Sequence, residues 1–233
     1  GLRRILDLIM PSAVFKNIIH RLPAILWLLT IVACPYSLFA QDAGNADDDD
    51  ELSLSFDANV ATPRVPQKQK SRVREQVADL EASLKEHGYA VVTLRDGEVL
   101  RVTIPCDRLF APNSSELKAD VAPVLTPLKK YSRPDSPYKM VVAVHADDTG
   151  DTVYCDRLTA DRASAIDGFF YVLAGGEETG IIPYGLGQDD FIGSNHSIEA
   201  RARNRRVEIY LVPRTSLFQK QKFLFLRLLW KRK

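Results

Sequence analysis

The chain has 233 residues, of which 45% are hydrophobic and 26% charged, and its formal net charge at pH 7 is +1. This composition supports a folded domain with a core. The balanced charge argues against a dedicated nucleic-acid-binding protein, which would present a basic surface. The cysteines Cys34, Cys106 and Cys155 are too few and too widely spaced for a disulfide scaffold or a zinc module.

The first 40 residues have the pattern of a secretory signal. Basic residues up to Arg21 precede an apolar run, Leu22 to Ala33, and Ala40 places a small residue at the boundary with the polar chain. The apolar run is shorter than the ~20 residues that span a bilayer. We predict that residues 1–40 contain a signal peptide cleaved after Ala40, with Met10 as the natural start and the residues before it as upstream sequence.

A second processing route remains open for this segment. The sequence IVAC at positions 31–34 resembles a bacterial lipobox, in which Cys34 would be lipidated. Lipidation at Cys34 would tether the protein to a membrane, whereas cleavage after Ala40 would release it. Both routes take the protein out of the cytoplasm. We therefore expect a periplasmic or outer membrane-associated protein.

The chain between the signal and the folded region is acidic and then rich in proline and polar residues. The acidic run Asp47 to Glu51 is followed by ATPRVPQKQK, and such sequence buries little apolar surface. We expect residues 41–70 to be a disordered linker. Apolar residues then recur every three or four positions from Val73 to Leu84, which predicts a helix over residues 71–88 that ends at Gly88.

The chain from residue 89 to residue 213 alternates strands with helices. Asp96-Gly97 between two β-rich runs is the strongest short-range signal for a hairpin. Pro127 is expected to kink or split the helix that ends near Tyr131. The other predicted elements are strands at Lys139–Val144, Ile181–Gly185 and Arg205–Val212, and helices at Leu158–Leu173 and Ser197–Arg203. The order ββαβαβ(α)β predicts a two-layer α/β sandwich over residues 89–213.

The densest charge lies in HADDTGDTVYCDRLTADRA, positions 145–163. No serine or cysteine nucleophile has a matched histidine and acid at a recognisable spacing, so we expect no catalytic residues and no enzyme activity. The segment lacks the terminal glutamate of a calcium loop and the HExxH or CxxC patterns of zinc sites, so we expect no metal and no cofactor. Turns, and capping of the next helix by Asp156 or Thr159, would account for several of the acids.

Capping does not explain the spacing of Asp147 and Arg162. Asp147 lies at a predicted strand end and Arg162 on the first turns of the following helix, and these two places are close in space. A carboxylate and a guanidinium on two sides of one small pocket would fit a zwitterion, whose ammonium pairs with Asp147 and whose carboxylate pairs with Arg162. An internal salt bridge between the two side chains is the alternative.

Three motifs in this order, HADDTG, TVYCDRLTADRA and RARNRRVEIYLV, resemble the OmpA-like C-terminal domain family. The upstream stretch LFAPNSSEL resembles the opening motif of that family. The resemblance covers about residues 90–212, and it implies an OmpA-like domain of βαβαβ type preceded by the β-hairpin. The positions that match the family pattern include Gly150, Tyr154, Leu158, Ala163 and the block Asn204 to Val207.

The resemblance also implies a function. Members of the family bind peptidoglycan non-covalently, by recognising the diaminopimelate of the stem peptide, whose side-chain end carries an ammonium and a carboxylate. At matching positions, Asp147 would hold the ammonium and Arg162 the carboxylate. Arg205 would add a second cationic contact and Asn113 a polar contact from the preceding loop. The secondary positions are Ala146, Cys155, Leu158 and Asn204.

Two residues of the implied site depart from the family pattern. Ala146 stands where threonine is usual and Cys155 where asparagine is usual, which removes a hydroxyl and an amide. The alternative function is therefore a periplasmic assembly module that keeps the fold but no longer binds the wall. In the family fold Cys106 and Cys155 both lie near the pocket rim, so a disulfide between them in an oxidising compartment is a further expectation.

The stretch from residue 214 to residue 233 is a basic tail with a nearly continuous apolar run, Phe223 to Trp230. It is too short to span a bilayer. Two alternatives are open. The tail lies on a membrane surface with Lys231, Arg232 and Lys233 near anionic headgroups, or it docks on the domain or on a partner. The expected partners are peptidoglycan and outer-membrane or other envelope proteins, with no nucleic acid.

Overall fold

A computed structural model describes residues 54–217 of the chain. The predicted signal peptide, the candidate lipidation site at Cys34, the acidic run, and the chain beyond Leu217 lie outside the described residues. Within residues 54–217, no helix combines the length and the hydrophobicity needed to cross a membrane.

One mixed sheet organises the domain. Its strands in chain order are β1 Ala90–Leu94, β2 Val99–Pro105, β3 Tyr138–His145, β4 Ile181–Gly185 and β5 Arg206–Pro213. Across the sheet the order is β1–β2–β5–β3–β4. β3 and β4 run parallel, and the other neighbouring pairs run antiparallel. The predicted hairpin is confirmed, since β1 pairs with β2 around Asp96-Gly97.

The helices predicted beyond residue 70 are present, and they differ from the predictions at their ends. In the described part of the chain they are α1 Phe56–Ala61, α2 Lys70–Glu86, α3 Cys106–Leu109, α4 Ala122–Leu125, α5 Thr152–Leu173 and α6 Ile198–Asn204, with 3₁₀ segments at Gln67–Gln69 and Thr126–Tyr131. The helix predicted over residues 71–88 is α2, and Gly88 follows it with a φ of 80°. Pro127 lies in the 3₁₀ segment that directly follows α4, so the predicted split is confirmed.

The main core lies between one face of the sheet and the helices α2 and α5. Val207, Ile209 and Leu211 alternate along β5 and belong to this core, together with the apolar stripe of α2 that the sequence predicts. Ile166 and Phe170 bring α5 onto the same face. The apolar face of the strands, which repeats every two residues, packs against the apolar faces of the helices, which repeat every 3.6 residues. This is the two-layer α/β arrangement expected from the sequence.

The helix α1 packs on part of the opposite face of the sheet. The ring of Phe56 meets the ring of Tyr210 edge to face, with their centroids 5.5 Å apart. Asn59 is fully buried and donates from Nδ2 to the hydroxyl of Tyr184 at 2.6 Å. The predicted disordered linker is therefore wrong for residues 54–70, because a short segment can bury its few apolar residues on a sheet face that is otherwise open.

Candidate binding site

The C-terminal end of β3 and the N-terminal end of β5 lie beside the first turns of α5, at one end of the sheet. His145, the last residue of β3, pairs with Arg206, the first residue of β5, so the flanking residues Asp147 and Arg205 lie close together. The short helix α3 and the loop after it form the facing wall. Between them lies a cavity of about 430 Å³. It is lined by Cys106, Asp107, Phe110, Ala111, Pro112, Asn113, Lys118, Ala146, Asp147, Thr149, Tyr154, Cys155, Leu158, Arg162 and Arg205.

Asp147 is held in this cavity by two bonds within the protein. It is only 4% exposed. Its Oδ1 accepts a hydrogen bond of 2.9 Å from the backbone N–H of Thr149, and its Oδ2 forms an ion pair with Nη1 of Arg205. Burial raises the pKa of Asp147, but the bonds from Thr149 and Arg205 outweigh it, so the net pKa lies below its ordinary value. Asp147 is therefore a charged, oriented carboxylate at neutral pH.

Arg162 lies on α5 and is also 4% exposed. Its Nε donates to the carbonyl of Ser114 at 2.8 Å and its Nη2 to the carbonyl of Ala111 at 3.5 Å. The guanidinium carbon lies 5.1 Å from the centroid of the Phe110 ring, a cation–π distance. Arg162 therefore binds the loop after α3, and the alternative of an Asp147–Arg162 salt bridge is wrong because Asp147 pairs with Arg205 instead.

Asn113 lies in the same loop, where the backbone turns sharply. Its φ is 55°, in the left-handed region that asparagine tolerates better than most residues. The loop residues on either side of Asn113 supply the carbonyls that accept from Arg162. Asn113, for which the family resemblance implies a polar contact with the ligand, thus lines the cavity.

The start of α5 differs from the prediction and shapes the cavity. Asp151 caps the helix by accepting from the N–H of Tyr154 at 2.8 Å, so the predicted cap at Asp156 or Thr159 is wrong. Both residues lie inside the helix because it begins at Thr152 rather than at Leu158. The extra residues at the start of the helix bring Tyr154 and Cys155 into the cavity wall beside Leu158.

Cys106 and Cys155 both line the cavity as free thiols, so the expected disulfide is not formed. The Cys155 thiol donates to the carbonyl of Thr149 at 3.3 Å and accepts from Nε2 of Gln188 at 3.4 Å. The Cys106 thiol lies 4.0 Å from the carbonyl of His145. The two thiols thus contact different carbonyls. Burial raises the pKa of Cys106 to about 11, so this thiol is uncharged at neutral pH.

Asn204 is the one implied site residue that lies outside the cavity lining. It is fully buried, and its Oδ1 accepts from the N–H groups of Ile192 and Gly193 at 2.9 and 3.1 Å. Its Nδ2 donates to the carbonyl of Gly193 at 3.0 Å and to Oδ1 of Asn195 at 2.8 Å. Asn204 therefore holds the loop before α6 in place. The other implied contacts, Asp147, Arg162, Arg205, Asn113, Ala146, Cys155 and Leu158, all line the cavity.

Sequence reasoning missed part of the cavity wall. Asp107, Phe110, Lys118 and Thr149 also line the cavity, and Thr149 donates its backbone N–H to Asp147. Phe110 belongs to the LFAPNSSEL stretch singled out by the resemblance, so that motif held the signal. Among residues 54–217, no group of three or more metal-ligating side chains occurs.

Residues 109–205 match the model of the OmpA family. Two curated relatives are each 30% identical: a probable lipoprotein, YiaD, from Escherichia coli (strain K12), over 135 residues, and outer membrane protein A from Bordetella avium, over 112 residues. The alignments cover 57% and 48% of this chain, and 61% and 57% of the two relatives. The chain thus spans about three fifths of the length of the curated relatives it matches.

Among solved structures, the crystal structure of a MotB-like protein from Desulfovibrio vulgaris is similar to this chain, with 26% identity and a TM-score of 0.54. The match covers 64% of this chain and 100% of that one. The α/β fold and the motif resemblance predicted from the sequence agree with these matches. The family model thus assigns an OmpA-like domain to residues 109–205 of this chain.

Proposed function

We propose that the domain binds peptidoglycan non-covalently through the diaminopimelate of the stem peptide. The observation that carries the proposal is the position of two charges. Asp147 and Arg162, each 4% exposed, line one cavity of about 430 Å³. A buried carboxylate and a buried guanidinium that line one cavity match a ligand that carries both charges.

The cavity wall supports this chemistry beyond the two charges. The ligand ammonium would lie against Asp147 and the ligand carboxylate against the guanidinium of Arg162. Phe110 and Leu158 are apolar lining residues that would contact the methylene carbons of the ligand. Asn113 would supply a polar contact from its loop. Each group acts by binding, so the proposed function involves no chemical turnover.

A peptidoglycan-binding domain belongs in the cell envelope, so we place the protein in the periplasm or on the outer membrane facing it. The curated relatives are named as a probable lipoprotein and an outer membrane protein, which supports an envelope location. Lipidation at Cys34 or contact of the tail with a membrane would then connect the wall to a membrane. Envelope proteins are the expected protein partners.

A second candidate function is an assembly module that keeps the fold without binding the wall. One observation favours it: both charges of the proposed site already have protein partners. Asp147 pairs with Arg205, and Arg162 donates to the carbonyls of Ser114 and Ala111. Ala146 and Cys155, which depart from the family pattern, also line the cavity.

Co-sedimentation of the full chain with purified diaminopimelate-type peptidoglycan separates the two candidates. We expect the parent to pellet with the wall, and the variants Asp147→Asn and Arg162→Gln to remain in solution. Loss of one partner of a buried charge pair costs about 2–5 kcal/mol in binding, because the other charge is left without its counter-ion.

Matched controls are available beside each site residue. Asp148→Asn removes the neighbouring carboxylate, which is exposed, and Arg157→Gln removes an exposed guanidinium from the same helix. Both control variants should pellet like the parent. If the parent stays in solution, the wall-binding proposal fails and the assembly module takes its place. Cross-linking in cell envelopes would then identify the partner.

A further inference from the structure

The C-terminal end of α5, far from the cavity, presents apolar side chains to solvent. Tyr171 is 49% exposed and Val172 is 75% exposed. The helix ends in a glycine turn, in which the N–H of Gly176 donates to the carbonyl of Tyr171 at 2.9 Å. Two exposed acids, Glu177 and Glu178, follow this turn directly. We refer to Tyr171, Val172, Glu177 and Glu178 as the distal patch.

The negative charge of the distal patch is not balanced by the part of the chain that the structure describes. Within residues 54–217, neither Glu177 nor Glu178 forms an ion pair. The last turn of α5 contains no basic residue, although the carbonyl end of a helix attracts cations. Exposed apolar side chains beside this charge suit a partner that is both apolar and basic.

The chain itself contains such a segment in residues 218–233, the part of the basic tail beyond the described residues. This segment includes the apolar run Phe223 to Trp230 and has no acidic residue. Its 16 residues reach roughly 50 Å when extended, so chain length does not prevent a contact with the distal patch. Its basic residues are Lys220, Lys222, Arg227, Lys231, Arg232 and Lys233.

The described chain ends at the same end of the domain as the distal patch. The start of β4 pairs with the start of β3, and Tyr138 at the start of β3 pairs with Pro213 at the end of β5. Because α5 leads into β4, its last turn lies at this end of the sheet as well. Residues 215–217 are helical, and Leu217 packs against the main core that also receives α5.

The N-terminus of α2 lies at this end of the domain too, but it has the opposite charge. Lys70 pairs with Glu98 at 3.0 Å, and Glu98 directly precedes β2, whose start pairs with the end of β5. Arg72 and Arg74 follow Lys70 in the first two turns of α2. These cations and the positive end of the helix dipole repel a basic segment, so charge favours the distal patch over α2.

We propose that residues 218–233 dock on the distal patch of the same chain. Their apolar side chains lie against Tyr171 and Val172, and their basic side chains lie beside Glu177 and Glu178. Docking removes apolar surface of the tail and of α5 from water. The docked segment lies at the end of the domain opposite the cavity, so this inference does not depend on what the cavity binds.

The fluorescence of Trp230 in the full chain, measured without lipid, tests the docking. Trp27→Phe is the background, because Trp27 and Trp230 are the two tryptophans of the chain. We expect emission at the short wavelength of a buried indole, and a shift to the longer wavelength of a water-exposed indole in Val172→Ser. Val153→Ser is the matched control, since Val153 is 77% exposed at the other end of the same helix, and it should emit like the parent.

Carbodiimide cross-linking identifies what the segment contacts, because it joins carboxylates and amines that touch. We expect Glu177 or Glu178 to be joined to a lysine of residues 218–233, and Val172→Ser to lose most of this product. Glu199, exposed at the cavity end of the domain, should not be joined to the segment. A mixture of ¹⁵N-labelled and unlabelled chains shows by mass whether the product lies within one chain.

Three results would overturn the proposal. An exposed indole that shifts to short wavelength only with vesicles of phosphatidylglycerol and phosphatidylethanolamine assigns the segment to a membrane surface. Products that join only labelled to unlabelled chains assign it to a second copy. Short-wavelength emission that Val172→Ser leaves unchanged, without products at Glu177 or Glu178, places the segment on another surface.

Discussion

The guanidinium of Arg206 and the carboxylate of Glu208 form a buried ion pair at the start of the central strand β5, with Nε and Oε1 2.8 Å apart. Both residues are 1% exposed. The hydroxyl of Tyr210 donates to the other oxygen of Glu208, and Nη2 of Arg206 pairs with Asp190 at 2.8 Å. Burial raises the pKa of Glu208, but the bonds from His145, Arg206 and Tyr210 outweigh it and hold the pKa well below its ordinary value.

Glu208→Gln should destabilise the domain by about 3–5 kcal/mol at pH 7, because it leaves the Arg206 guanidinium buried without its main counter-ion. A carboxyl whose folded pKa is depressed stabilises the fold above its unfolded pKa, and this contribution is lost as the pH falls towards the folded pKa. The parent should therefore lose stability below about pH 5, while the variant has a flatter profile. Urea unfolding at pH 7, 5 and 3 measures both. Parallel profiles for the parent and the variant would contradict the assignment, and Glu177→Gln, at an exposed position, is the control.

Asn204→Ala should destabilise the domain by about 1–3 kcal/mol, because it removes the fully buried side chain that binds the N–H groups of Ile192 and Gly193 and the carbonyl of Gly193. The amides of Ile192 and Gly193, which donate to Asn204, should also exchange faster with deuterium. His196→Ala, at an exposed position nearby in the chain, should change neither quantity. Unchanged exchange at Ile192 and Gly193 would show that the loop is held by other contacts.

Gly185→Ala should destabilise the domain by about 3 kcal/mol or more, since α5 packs directly on the end of β4. A Cβ at this position would lie 2.2 Å from the backbone nitrogen of Ala160, so the helix would have to move. Gly168→Ala is the matched control on α5 itself, because no atom lies within 4 Å of its added Cβ. That variant should gain about 0.5–1 kcal/mol from helix propensity. Thermal unfolding of the two variants should therefore shift in opposite directions.

Phe56→Ala should cost about 2 kcal/mol, because the half-buried ring of Phe56 covers Tyr184 and Tyr210 on the second sheet face. Asp57→Ala, at an exposed position of the same helix, is the control. No residue of α1 lines the cavity, so the sedimentation of Phe56→Ala with the wall should equal that of the parent. A variant as stable as the parent would mean that α1 adds nothing to the fold.

The longer helices and strands of this domain are predictable from the sequence, because the spacing of their apolar residues shows which positions are buried. The four-three-four spacing from Val73 to Leu84 and the alternation along β5 appear directly in the sequence, and the structure confirms both. The prediction of a disordered linker is wrong for residues 54–70 because a helix of six residues, Phe56–Ala61, has too few apolar residues to show a period. This segment is folded because it packs on a face of the sheet, and the sequence of the segment alone does not show that contact.

The candidate site also has features that the sequence predicts and features that it does not. The spacing of Asp147 and Arg162 placed both residues at one cavity, because a strand end and the next helix are joined by a short loop. The ion pair of Asp147 with Arg205 joins residues 58 positions apart, and no local pattern reports it. Similarly, a last strand in the sequence does not reveal whether it lies at an edge or in the centre of a sheet.

The central position of β5 has a consequence for the order of folding. β5 comes last among the described strands, yet it joins the β1–β2 hairpin to the β3–β4 pair. Until residues 206–213 are available, these two halves have no shared edge, and neither Arg205 nor Glu208 can reach its partners. A ribosome-bound chain that still lacks this segment therefore carries two separate strand pairs, and sheet closure and assembly of the cavity occur together as a late, cooperative event.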